Sequence, residues 1–151
     1  MNQKLEAVNL VRWFHFLAIS FGGGAAVVAL LLSGFEEGRE DLQGLAATVW
    51  AKVVSWSFRL ALLAGIALLV ILVQGEQNPF KAGIYFHIKL TLVIILIGFS
   101  EMTPKALAAG KRGAAMLALL LFLLVTFVVF TRAAFGFRLP TGPAATVTAP
   151  R

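Results

Sequence analysis

Two histidines, His15 and His87, are the only ones in the chain, and each lies inside a long apolar run. Imidazole is the commonest metal ligand, and two imidazoles from two helices can hold a haem iron from both faces. The other reading places each ring at a headgroup boundary, bonded to a carbonyl or water. Cysteine is absent, which excludes disulfides, thiolate metal sites and thiol catalysis. Met1, Met102 and Met116 are scattered along the chain, whereas a copper route would favour Met, Cys and further His. No phosphate loop, zinc-protease HExxH or serine-nucleophile elbow occurs.

Helical spacing shows which residues accompany the histidines. His15, Ala18, Gly22, Ala25 and Ala29 share one stripe, and Gly22-Gly23-Gly24 thins it further. Small residues there leave room for a flat ring or for a tightly packed helix. Arg12, one turn before His15, is placed to pair with a haem propionate or to snorkel to the headgroups. His87, Thr91, Ile94, Gly98 and Glu101 form a second stripe, expected to face the interior. Lys89 points away from His87. The two histidines enter from the same side, with depths expected to differ by about 4–5 Å at helical rise. Arg59 lies deep in another apolar run, where an internal partner is required. Glu101 is the acid placed to meet it, and the functional alternative for Arg59 is an anionic substrate or a quinone carbonyl.

The elements that must position these residues follow from composition. The chain has 151 residues, 60% hydrophobic and 13% charged, against about 45–50% and about 25% in soluble domains. Four runs approach the roughly 20 apolar residues that cross a hydrocarbon core: about 8–32, 50–73, 83–102 and 114–131. The fold expected is all-α, an integral-membrane up-down four-helix bundle over residues 1–139, with a Pro-, Thr- and Ala-rich flexible tail at 140–151. The first run is longer than a signal-peptide core and contains Arg12 and His15. Trp13, Trp50 and Trp56 near run ends suit an interfacial belt. The net charge of +6 reads as cations flanking spans beside lipid headgroups, not as a nucleic-acid surface. Orientation is nearly balanced. Lys4, Arg12, Lys81, Arg132, Arg138 and Arg151 lie on the side of the termini. Arg39, Lys52, Lys105, Lys111 and Arg112 lie opposite. The small excess places the termini in the cytoplasm, and the expected location is a bacterial inner membrane.

The segment YFHIKLTLVIILIGFSEM, from Tyr85 to Met102, resembles the HemJ-type membrane protoporphyrinogen oxidases and related CopD-like membrane domains. That family carries His-x-Lys before an apolar run ending in Gly-aromatic, here His87, Lys89, Gly98 and Phe99. The segment RWFHFLAIS is similar to its first aromatic-His helix, matching His15. The chain departs from it at VVALLLSG, where the family has Leu-Pro-Arg, and at Ser100-Glu101, where it often has histidine. The resemblance implies a b-type haem held by His15 and His87, with Lys89 a functional residue. It implies oxidation of protoporphyrinogen IX, with electrons passing to a quinone or another membrane acceptor. Arg59 is the second catalytic candidate and Arg12 a haem contact. Two alternatives remain: a cofactor-free accessory subunit of a larger membrane complex, and a CopD-like copper-handling protein. A homo-oligomer is a further expectation.

Overall fold

The structure is a computed structural model that describes residues 2–74, 80 and 84–131, with side-chain surroundings from residue 6 onward. The tail, Lys81, Pro79, Arg132, Arg138 and Arg151 lie outside the described residues. Helix α1 spans Asn2–Phe35. After a 3-10 turn at Glu40–Leu42, a continuous rod is built from α2 (Leu45–Val49), a π turn (Trp50–Val54) and α3 (Ser55–Gln74). Helix α4 spans Ile84–Ala108 and α5 spans Gly113–Phe130. Each of the four rods is long and apolar enough to cross a membrane.

Packing is that of an up-down bundle. Helix α1 lies along α3, α4 along α5, and α1 also meets α5 and the α2–π segment. Helices α1 and α4 therefore stand on the diagonal. The inward side of α1 carries Ala26, Ala29 and Ser33 at helical spacing, all buried. The next rod buries Ala46, Trp50, Val54 and Phe58. Those four recur every fourth residue, a spacing that drifts around an ordinary α-helix. The wider π turn absorbs the drift and keeps all four facing inward. The Trp50 indole is fully buried in a cluster lined by Ala26, Ala29, Ala46, Ala115 and Ala118. Large-into-small packing of this kind lets helices approach closely. Trp50 is thus a core residue and not part of a surface belt, whereas Trp13 and Trp56 are exposed.

Helix α4 runs six residues past the expected boundary at Met102, through Pro104. Proline lacks the N–H that would bond the carbonyl four residues earlier, here that of Ser100. That carbonyl instead accepts the Trp50 indole N–H at 3.1 Å and the Ser55 hydroxyl at 3.4 Å. A neighbouring helix thus supplies the lost bond, which is how apolar bundles tolerate proline. The helix then ends at Gly110, at φ 70°. Gly110 N–H donates to the Leu107 carbonyl and Lys111 N–H to that of Ala106, a Schellman closure that needs a left-handed residue. At the same end of the bundle, the Glu36 carboxylate accepts the Ala46 N–H in the first turn of α2 at 2.6 Å. Arg112 donates to Glu37 at 2.9 Å, tying the two interhelical turns together.

Candidate functional site

The His15 ring faces α3. Its Nδ1 lies 2.7 Å from the carbonyl oxygen of Ala61. A carbonyl has no proton to give, so Nδ1–H is the donor. In the neutral ring, Nε2 then carries the lone pair, and this is the tautomer that second-shell carbonyls fix in histidines that bind metals. The approach depends on Gly65. A Cβ there would stand 3.2 Å from His15 Cε1, tighter than ordinary contact. Ala61 and Gly65, four residues apart, form a notch that admits the ring and bares the carbonyl.

The inward stripe of α4 is Tyr85, Lys89, Leu92, Leu96, Ser100, Thr103 and Leu107. Tyr85, Leu96, Ser100, Thr103 and Leu107 are buried, and Lys89 and Leu92 are half-buried. The stripe His87, Thr91, Ile94, Gly98 and Glu101 is exposed throughout. The expectation that this second stripe faces the interior is therefore overturned. Both faces of α4 carry polar groups, and the buried one is the face that closes on Trp50 and Ser55.

The His15 level on α4 follows from two contacts. Gly65 lies beside His15 and Ser55 bonds at Ser100. Helices α3 and α4 run antiparallel, so about ten residues along each carry the level from Ser100 back to about Leu90. Lys89 is nearly level with His15 and half-buried on the inward side. His87 is about one turn further out and on the outward side. Its ring lies 6.3 Å from those of Phe80 and Phe86. At the level of His15, α4 thus turns Lys89, and not His87, to its inward side. Arg12 is exposed.

The small-residue stripe of α1 is occupied by aromatic rings. A Cβ on Gly22 would come within 2.7 Å of Phe58, and one on Gly23 within 2.5 Å of Phe122. These two phenylalanines stack at 5.7 Å across the bundle interior. Gly22 and Gly23 serve packing, and the stack closes the interior between the His15 level and the Trp50 cluster. Arg59 donates to Glu101 in a bidentate pair through one guanidinium edge, Nε to Oε1 at 2.9 Å and Nη2 to Oε2, and lies 5.3 Å from the Trp56 ring centre. Its charge is already engaged by a carboxylate.

Sequence reasoning missed Ala61 and Gly65 as the neighbours of His15. The spacing of Ala61 and Gly65, two small residues on one face of an apolar helix, was the available signal. His15 could supply one haem ligand, with its tautomer set by the Ala61 carbonyl. The two-histidine set is not assembled within one chain. Among the described residues, no three His, Cys, Asp or Glu side chains gather into a metal-binding group. Comparison with protein-family models, curated proteins and solved structures finds no match for this chain.

Proposed function

We propose that this chain is an integral membrane haem b protein similar to the HemJ type, with His15 as its iron ligand. In this reading it is an oxidoreductase that acts on a porphyrinogen. It resides in a bacterial inner membrane with its termini in the cytoplasm. The observation that supports this reading is that His15, bonded to the Ala61 carbonyl, and Lys89, half-buried on the inward side of α4, lie at about one level of an apolar bundle. A cation held at that depth is costly and marks a functional site. Lys89, with Arg12 at the same end, offers positive charge to the carboxylates that haem and porphyrinogens both carry. The haem, when bound, would accept electrons singly and release them to a membrane acceptor such as a quinone. The Ala61 bond leaves Nε2 as the lone-pair nitrogen of the His15 ring, and Gly65 leaves the room that the ring itself occupies.

The test is the reduced-minus-oxidised visible spectrum of the detergent-purified protein. A b-type α-band is expected, lost in His15→Ala and retained in His87→Ala. Protoporphyrinogen oxidation, measured on the same samples, should fall with Lys89→Met while the band persists. A colourless protein of normal yield would sink the proposal. A second reading, an accessory subunit of a larger membrane assembly, is favoured by one observation: an ion pair on the outward face of α3 and α4. A copper-handling role has the least support, because the donor set lacks sulfur ligands and gathered histidines.

A further inference from the structure

The Arg59–Glu101 pair is in an unusual place for a membrane bundle. Helix α5 has 18 residues, about 27 Å at helical rise, close to the thickness of a hydrocarbon core. The turn between α4 and α5 follows Ala108, and Glu101 is about seven residues before it, some 10 Å inside that boundary. Yet the Arg59 and Glu101 side chains are 45% and 39% exposed. Ionisable side chains at such depth face a bundle interior or a water-filled cavity, and this pair faces outward. It is bordered by Trp56 and Leu63 on α3 and by Ile94 and Met102 on α4, all exposed. Gly98, one turn before Glu101, has nothing within 4 Å of the position its Cβ would take. It therefore opens the surface where internal packing does not require it.

We propose that this face of α3 and α4 seats a second copy of the chain about a two-fold axis. This rests on the reading of the four helices as membrane spans. The patch carries one positive and one negative group, so it complements itself. A two-fold axis brings Arg59 of each copy toward Glu101 of the other, making a ring of alternating charge shielded from lipid. Gly98 admits the facing helix closely, as small residues do at membrane interfaces.

The absence of cysteine permits single-cysteine reporters. Met102→Cys and Leu63→Cys mark the patch, and Leu120→Cys and Phe21→Cys mark other exposed positions. Oxidation in native membranes should yield disulfide-linked dimers at the first two sites and none at the last two. Arg59→Glu should abolish the Met102→Cys dimer, and Arg59→Glu with Glu101→Arg should restore it, because the swapped pair can close both within and between copies. The proposal is overturned by a membrane-inserted chain with no dimer at either patch site. Equal cross-linking at all four positions, or capture of a different protein at Met102→Cys, overturns it as well. Recovery of the chain outside the membrane fraction would instead refute the membrane reading.

Discussion

The imidazole of His15 is held by a backbone carbonyl and a missing side chain, and the consequences can be tested one residue at a time. Gly65→Ala adds a methyl 3.2 Å from Cε1, which displaces the ring by tenths of an ångström. The expected result is a folded protein with a shifted or weakened α-band. Gly65→Val crowds the ring further and should cost about 1–3 kcal/mol, as overpacked interiors do, with the band lost. Thermal unfolding in detergent and the visible spectrum check the two effects separately. Normal spectra in both variants would remove His15 from the site. His15 was legible in the sequence because a histidine in an apolar run is conspicuous. The Arg59–Glu101 pair was legible because few charges lie within the runs, and the structure forms it. Lys89 as the neighbour of His15 was not legible. Periodicity shows that His87, Thr91 and Glu101 share a face and that Lys89 lies on another. It does not show which face turns inward, and on α4 both carry polar residues.

At the scale of elements, the joint between the π turn and α4 is where local rules were overridden. The basic segment TPKALAAGKRG lies beyond the third apolar run, which ends at 102, and its proline leaves a helical carbonyl unpaired. The helix continues to Ala108 because Trp50 and Ser55 satisfy that carbonyl from the neighbouring rod. That long-range contact is invisible in a local window, and the same contact buries a tryptophan whose place near a run end suggested an interface. Trp50→Phe keeps the ring and removes the donor. It should lower stability by about 0.6–1.7 kcal/mol, the range of hydrogen bonds measured between membrane helices. Pro104→Ala returns an N–H to the Ser100 carbonyl, so Trp50→Phe should cost less in that background. Unfolding of the single and double variants in detergent gives the comparison, and additive losses would mean that proline and indole are not coupled.

For the whole molecule, four apolar rods were legible from composition alone, since so many apolar residues exceed what a small globule can bury. The last rod falls close to its expected limits, whereas the first extends to Asn2–Phe35 and the second begins earlier, at Leu45. The extension of α4 past Met102 is the one that contacts from the neighbouring rod explain. An up-down bundle leaves the ends near Asn2 and Phe130 on one side and the Glu36–Arg112 turns on the other. Membrane-impermeant labelling of Asn9→Cys and Glu37→Cys in intact cells should therefore modify Glu37→Cys alone, with the termini inside. Labelling of Asn9→Cys alone would reverse the orientation. The central claim is a haem bound at His15 inside this bundle. Its most direct test is the reduced-minus-oxidised spectrum of the purified wild type beside His15→Ala of equal yield and monodispersity. The wild type should show a b-type α-band and His15→Ala none; a wild-type protein without haem, or a band unchanged in His15→Ala, would rule out haem binding at His15.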